Sequence, residues 1–233
     1  MIRLSITGAD NNTSVKDLNQ LSEKYPDLEL ALLYFPEKEN HNRNPGQAFR
    51  DDFFNQIKKE NTALHLCGKN VFDVVLSPSF TSTDIFKELK KASRLQLNIN
   101  ARFDLFSKQD IHTIYEKLLD EGFDLILQYH TRSEHWILDF IEKRNNEKIN
   151  ILLDSSLGRG VYCENFAVPS TLIGYNYPLG FAGGLNESNI AHAHEQIKKL
   201  NINHYWLDLE SGVRTKNEFD MVKATALCEK VFV

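Results

Sequence analysis

The sequence predicts an α/β fold, a single (β/α)8 TIM barrel over residues 1–233, and three observations carry that reading. Short apolar runs alternate with helical patterns from one end to the other, as repeated βα units require. There are eight such runs with mostly short connections, which suits closure better than the alternative of an open doubly wound sheet. Near the C-terminal end two strand-turn-helix units follow one another, FAGGLNESNI (181–190) and WLDLESGVR (206–214), each with glycine in the turn. Such turns present bare backbone N–H groups at a helix start, and helix starts hold phosphates.

The chain of 233 residues is long enough to bury the core of one barrel-sized domain. A formal charge of −5 with no basic run argues against nucleic acid as a partner. The start, MIRLSITGAD, has neither a basic n-region nor a long apolar stretch, and runs such as ALLYF are far too short to cross a bilayer. A soluble, cytoplasmic protein with no membrane partner is expected. Cys67, Cys163 and Cys228 are odd in number and lack C-x-x-C spacing, which points to thiols in a reducing compartment and away from zinc or disulfides.

In chain order, strands are expected at 2–8, 28–35, 63–67, 95–100, 123–130, 149–154, 179–182 and 204–209. Helical patterns lie near 14–24, 46–59, 84–92, 109–121, 133–144, 187–200 and 217–230, with Ser14, Ser82 and Asn186 as N-caps. The third crossover, containing SPSFTSTD, reads as irregular. The sixth connection, LGRGVYCENFAVPSTLIGYNYP, is rich in glycine, proline and aromatics and reads as a long functional loop carrying only a short helix.

Parity within the strands says more. In the first, Ile2, Leu4 and Ile6 alternate with Arg3, Ser5 and Thr7. The same polar face continues through His65 and Cys67, then Gln96, Asn98 and Asn100, then Gln128 and His130, Asp154, and finally His204, Trp206, Asp208 and Glu210. If the aliphatic face meets the helices, this other face points into the barrel. Each buried polar group left unpaired there costs about 1–3 kcal/mol, so the groups must satisfy one another, hold water or meet a ligand.

FAGGLNESNI and LDLESGVR, with ILLDSS (151–156), IRLSITGAD (2–10) and YFP (34–36), together resemble motifs of the phosphoribosylanthranilate isomerase family, a (β/α)8 barrel of the tryptophan pathway. The region 45–148 adds little beyond the alternating pattern. The resemblance implies an Amadori rearrangement of a phosphorylated aminoaldose, needing an acid to help open the ribose ring and a base to take a proton from the adjacent carbon. Asp154 matches the family's acid at the end of strand six. Thr7 stands where the family has its cysteine base, Glu210 replaces the first serine of the eighth-strand pair, and Arg214 stands where glutamate is common.

Cys67, His65 and His130 close inward faces and offer a substitute base. A metal site from His65, His130 and Asp154 would draw on three strands without diagnostic spacing, so no metal is expected, and the resemblance implies no organic cofactor. Backbone N–H groups around Gly183, Gly184, Ser211 and Gly212 are expected to hold a substrate phosphate, with the Ser211 hydroxyl adding a bond. Arg214 either clamps the anion or pairs with Glu210 to brace the turn. Arg43 corresponds loosely to the family's substrate-carboxylate arginine, and Arg159 lies in the glycine-rich loop that covers substrate in the family. The expected partner is a phosphorylated small molecule, and the assembly a monomer or homodimer. The competing reading is a phosphate-ligand-binding barrel that has lost the isomerase base or reacts differently.

Overall fold

Eight parallel strands pair edge to edge in chain order, and the last returns to the first to close a barrel. The structure is a computed structural model that describes residues 2–41, 43–99, 105–144, 147–154 and 160–233. The strands are β1 (Ile2–Thr7), β2 (Leu28–Tyr34), β3 (Thr62–Leu66), β4 (Arg94–Leu97), β5 (Asp124–Tyr129), β6 (Ile149–Asp154), β7 (Leu179–Ala182) and β8 (Tyr205–Leu209). Leu4 of β1 registers with Leu28 on one side and Leu207 on the other.

The aliphatic faces form the main core. Leu4, Leu28, Leu32, Leu64, Leu95 and Ile151 have no solvent exposure, and each such side chain contributes about 1.5–3 kcal/mol through burial. They pack beneath α1 (Val15–Lys24), α2 (Gln47–Gln56), α3 (Lys69–Leu76), α4 (Asp84–Leu89), α5 (Lys108–Asp120), α6 (Glu134–Lys143), α7 (Ile190–Lys198) and α8 (Met221–Phe232). Ser14 caps α1 as expected, its hydroxyl accepting from Asp17 N at 3.2 Å.

Four local expectations are corrected. Thr83, not Ser82, caps α4 by accepting from Phe86 N at 3.1 Å. Asn189 is the N-cap of α7, while the Asn186 side chain serves the turn before it by accepting from Ser188 N at 2.8 Å. The third crossover carries α3, whose apolar residues Val71, Phe72 and Val75 are buried, in addition to the irregular stretch after it. The last helix starts late, because Lys216 and Asn217 take positive φ and turn a small antiparallel hairpin, β9 (Arg214–Thr215) with β10 (Glu218–Phe219).

Inside the barrel the polar face folds into layers. At the N-terminal end the buried Glu29 carboxylate receives a bidentate pair from Arg94, with Nε to Oε2 at 2.7 Å and Nη2 to Oε1 at 2.6 Å. Arg3 adds a bond to Glu29 at 3.2 Å, and the Arg94 guanidinium lies 4.5 Å from the centre of the Trp206 ring. Burial pushes the Glu29 carboxyl up, yet the charge and hydrogen bonds of Arg94 outweigh it and hold the pKa at about 2. Trp206 lies across Gly180, where any Cβ would collide with its ring, and it packs with Ile126, Leu152 and Ala182 as a small apolar cluster within the barrel.

Candidate functional site at the C-terminal mouth

Above the Trp206 cluster the barrel opens into a cavity of about 660 Å³ at the C-terminal strand ends. Its lining includes the ends of β3, β4, β6 and β8, together with the turns that follow β7 and β8. Asp154, the last residue of β6, is 7% exposed and lines the cavity. The strand's own geometry places it there, since Ile149, Ile151 and Leu153 take the opposite face, against the helices.

The two C-terminal turns come into direct contact. Gly183 and Gly184 both take positive φ, +124° and +59°, and a Cβ on Gly184 would strike the Tyr162 and Gly160 backbone of the loop that follows β6. Only glycine lets that loop lie so close over the turn. On the other side, a Cβ on Gly212 would strike the Leu185 carbonyl, so the second turn packs against the first. Asn189 and Asn186 donate to the Gly184 carbonyl at 3.0 and 3.2 Å and fix its orientation. Among the described residues, no hydrogen-bond partner is found for the backbone N–H of Gly184, Leu185, Ser211 or Gly212. Gly183, Gly184 and Ser211 line the cavity, whereas Gly212 supports them from behind.

The four base candidates are placed differently. His65 and Cys67 line the cavity on β3 and just after it. Thr7 is fully buried and is not among the lining residues; its hydroxyl lies 3.5 Å from His65 Nδ1. Burial drives the His65 pKa down to about 4, with the Glu29 charge opposing and Arg94 assisting, so the imidazole is neutral near pH 7. Cys67 Sγ accepts from Asn98 Nδ2 at 3.2 Å. His130 also stands outside the lining set. Its Nδ1 accepts from Arg132 N at 3.0 Å, and burial lowers its pKa against the raising effect of Asp154 nearby.

The arginines divide as well. Arg43 lines the cavity and reaches across the mouth to an ion pair with Glu210. Arg214 is taken up elsewhere: its guanidinium donates to the Gly8 and Asn217 carbonyls and pairs with Asp10 at 3.0 Å, with both side chains buried. It braces the β1 turn to the hairpin, with Asp10 in the place that Glu210 was expected to fill. Arg159 and Asn100 lie outside the described residues.

Several lining residues were absent from the sequence-based candidates, among them Gln96, Asn98, Gln128 and Asp208. Asp208 projects from β8 into the cavity, and burial, joined by the Glu29 and Glu210 charges and opposed by Ser5 and Arg94, raises its carboxyl to about 7. Inward parity on β8 pointed at it, but the adjoining turn drew attention to Ser211 and Glu210 instead.

Compared with known proteins, the chain shares its fold with solved barrels of more than one family and its sequence with one family model. Solved structures similar to the chain include mutually generated monomers of dimeric phosphoribosylanthranilate isomerase from Thermotoga maritima, 14% identical, with 99% of this chain and 98% of that chain covered and a TM-score of 0.61. The Thermus thermophilus enzyme is 17% identical, with 98% of each chain covered and a TM-score of 0.60. A complex of phosphoribosyl anthranilate isomerase with reduced 1-(o-carboxyphenylamino)-1-deoxyribulose 5-phosphate is 14% identical, with 99% and 98% covered and a TM-score of 0.59. At these identities the likeness is one of fold. No curated protein matches the sequence. The family model described as N-(5'-phosphoribosyl)anthranilate isomerase matches residues 83–229, more than half the chain, and the protein therefore belongs to that family.

Proposed function

We propose that the chain, acting as one barrel domain, isomerises a phosphorylated sugar derivative by an Amadori-type aldose-to-ketose rearrangement. The observation that carries this reading is the sharing of one cavity by the Asp154 carboxyl and the contacting turns at Gly184 and Ser211. The phosphate sits on the unpaired N–H groups of the two turns, with the Ser211 hydroxyl beside them. Asp154, as general acid, gives its proton to the ring oxygen, the ring opens, and the nitrogen lone pair forms a protonated imine. A base then removes the proton from the adjacent carbon; that electron pair forms a carbon–carbon double bond as the imine π pair returns to nitrogen, and the resulting enolamine takes a proton at the former imine carbon and gives up its hydroxyl proton to become the ketone.

His65 fits the base best among the four candidates. It lines the cavity, its imidazole is neutral, and the Thr7 hydroxyl near Nδ1 orients the ring so that Nε2 serves the substrate. Thr7 therefore acts through His65, and Cys67, one pleat higher, is the second choice. A base of such low pKa is weaker than one matched to neutral pH, so turnover is expected to be slow. The test is direct: incubate the purified chain with N-(5'-phosphoribosyl)anthranilate and follow formation of the ribulose product chromatographically. Product formation that Asp154→Asn abolishes supports the proposal, and no product from wild-type chain overturns it for that substrate.

A second reading, a phosphate-ligand-binding barrel without this reaction, is favoured by one observation. Arg43, the expected carboxylate partner, is already paired with Glu210. Tight binding of inorganic phosphate with no turnover would select it.

A further inference from the structure

At the rim of the mouth a carboxylate is held beside one of the two glycine turns. Glu210 directly precedes Ser211, and both line the cavity. Its stem lies against the β1 turn, where a Cβ on Gly8 would stand 3.4 Å from Glu210 Cγ. That turn is itself clamped by Arg214, which donates to the Gly8 carbonyl and pairs with Asp10 at 3.0 Å. Asp10 thereby matches the Arg214 charge, and Glu210 pairs instead with Arg43, which reaches it across the mouth from the loop after β2. Among the described lining residues, two fixed cations, Lys38 and Arg43, face three carboxyl groups, Asp154, Asp208 and Glu210. Lys38 is exposed, with its ammonium 5.1 Å from the centre of the Phe35 ring, and a hydrated surface ammonium adds little to the holding of an anion. Among the described residues Arg43 is therefore the cation best placed for an anion in the mouth, and Glu210 already holds it. After burial and Glu29, the Glu210 charge also helps raise the Asp208 carboxyl, so its field reaches into the lumen.

We propose that Glu210 is a specificity-determining residue: by occupying Arg43 it fits the mouth to a ligand with one anionic end, the phosphate, and selects against a ligand whose other substituent carries a carboxylate. The assignment of the phosphate to the two turns rests on the function proposed above; the clasp itself rests on the ion pair and on the charges that line the cavity. With phosphate on the turn N–H groups, the neighbouring Glu210 carboxylate repels it, and Arg43 offsets that repulsion as long as the pair holds. A carboxylate on the ligand meets two costs. It must displace Glu210 from Arg43, exchanging one carboxylate for another with no net gain in pairing. It then leaves Glu210 as an uncompensated charge next to the phosphate. A neutral substituent leaves the pair intact and meets neither cost. The pair stands at the opening, with each side chain about one-third exposed, so added salt weakens the discrimination.

The test compares two phosphate esters that differ by one carboxylate, reduced 1-(o-carboxyphenylamino)-1-deoxyribulose 5-phosphate and its phenylamino analogue. Each is titrated calorimetrically into the wild-type chain, Glu210→Gln and the double variant Glu210→Gln with Arg43→Met, with thermal melts to confirm folding. At low salt the wild type is expected to bind the phenylamino ester about tenfold tighter than the carboxyphenylamino ester. In Glu210→Gln the preference is expected to reverse, because Arg43 is released to the ligand carboxylate, and the added Arg43→Met is expected to abolish the reversal. A wild type that binds the carboxyphenylamino ester as tightly, a preference that Glu210→Gln leaves unchanged, or a reversal that survives Arg43→Met overturns the assignment. Crystals of the wild type and of Glu210→Gln, soaked in benzoate at equal concentration, test the clasp without any phosphate. Benzoate on Arg43 in the variant alone supports it even if neither ester binds, in which case only the phosphate assignment fails. Benzoate on Arg43 in both crystals, or in neither, overturns it even if inorganic phosphate binds.

Discussion

The arc of the barrel from β6 to β8 and the arc from β1 to β3 follow different rules. In the first, the Asp154 carboxylate and two contacting glycine turns line one cavity, and among the described residues the turn N–H groups of Gly184, Leu185, Ser211 and Gly212 have no hydrogen-bond partner. In the second, the cysteine position is a sealed threonine, a histidine fills the lumen beside it, and the mouth arginine is paired to Glu210. On the proposed function, the difference teaches that anion holding would depend on backbone shape, which glycine placement fixes locally, whereas proton removal would depend on one side chain that different strands can supply. A barrel can keep the former while reworking the latter.

The largest expected effect breaks the arc from β6 to β8. Asp154→Asn should lower isomerase turnover by about 10²–10⁴-fold and leave inorganic phosphate binding intact; full activity in this variant would remove Asp154 from the mechanism. On the reworked arc, His65→Leu should cost about 10²-fold in turnover, and Thr7→Val a smaller loss through ring orientation. If Cys67→Ala is the damaging change and His65→Leu is mild, the base sits on Cys67.

The pH dependence of stability sharpens the comparison next. Asp208 has a folded pKa of about 7, above the 3.8 of an ordinary aspartate. The folded state binds the proton more tightly than the unfolded state, so this group's stabilisation is full below about pH 4. It is lost as pH rises to about 7, by up to about 4 kcal/mol. Melts of wild type and Asp208→Asn across that window should converge at acid pH, with the variant more stable at pH 7; parallel curves would show that Asp208 is not buried. Gly184→Ala should cost about 1–3 kcal/mol, because alanine strains at φ +59° and displaces the loop at Tyr162. Phosphate affinity should fall with it, as calorimetry would show. The smallest effect belongs to Arg43→Ala. Both partners of its ion pair are about one-third exposed, so the stability change should stay below about 1 kcal/mol in denaturant titrations.

Much of the architecture was readable from alternation alone, because a strand buried on two unlike faces writes its orientation into every second residue. Ile149–Asp154 and Leu179–Ala182 match their expected ranges for that reason. Helix α3 has buried residues at helical spacing, Val71, Phe72 and Val75, but it is only eight residues long and its three valines favour strand, so length and propensity obscure it. The hairpin before α8 depends on two residues at positive φ, neither of them glycine, and so has no clear mark in the sequence. At the site, the turns were readable because GGL and SGV fix backbone geometry. Long side chains were not: whether Arg214 meets Glu210 or Asp10 is decided by the path of the β1 turn, which no spacing rule supplies. The family match begins at residue 83, so IRLSITGAD and YFP, both quoted as resembling family motifs, fall outside it.

The ion pair of Glu29 and Arg94, lidded by the Trp206 ring, makes the barrel a blind tube. Whatever descends to that depth must depart by the doorway through which it arrived, past the residues that handled it on the way in. Order of release is thereby written into the shape: a ligand anchored at the rim and reaching inward has to give up its outer hold before its inner end can leave.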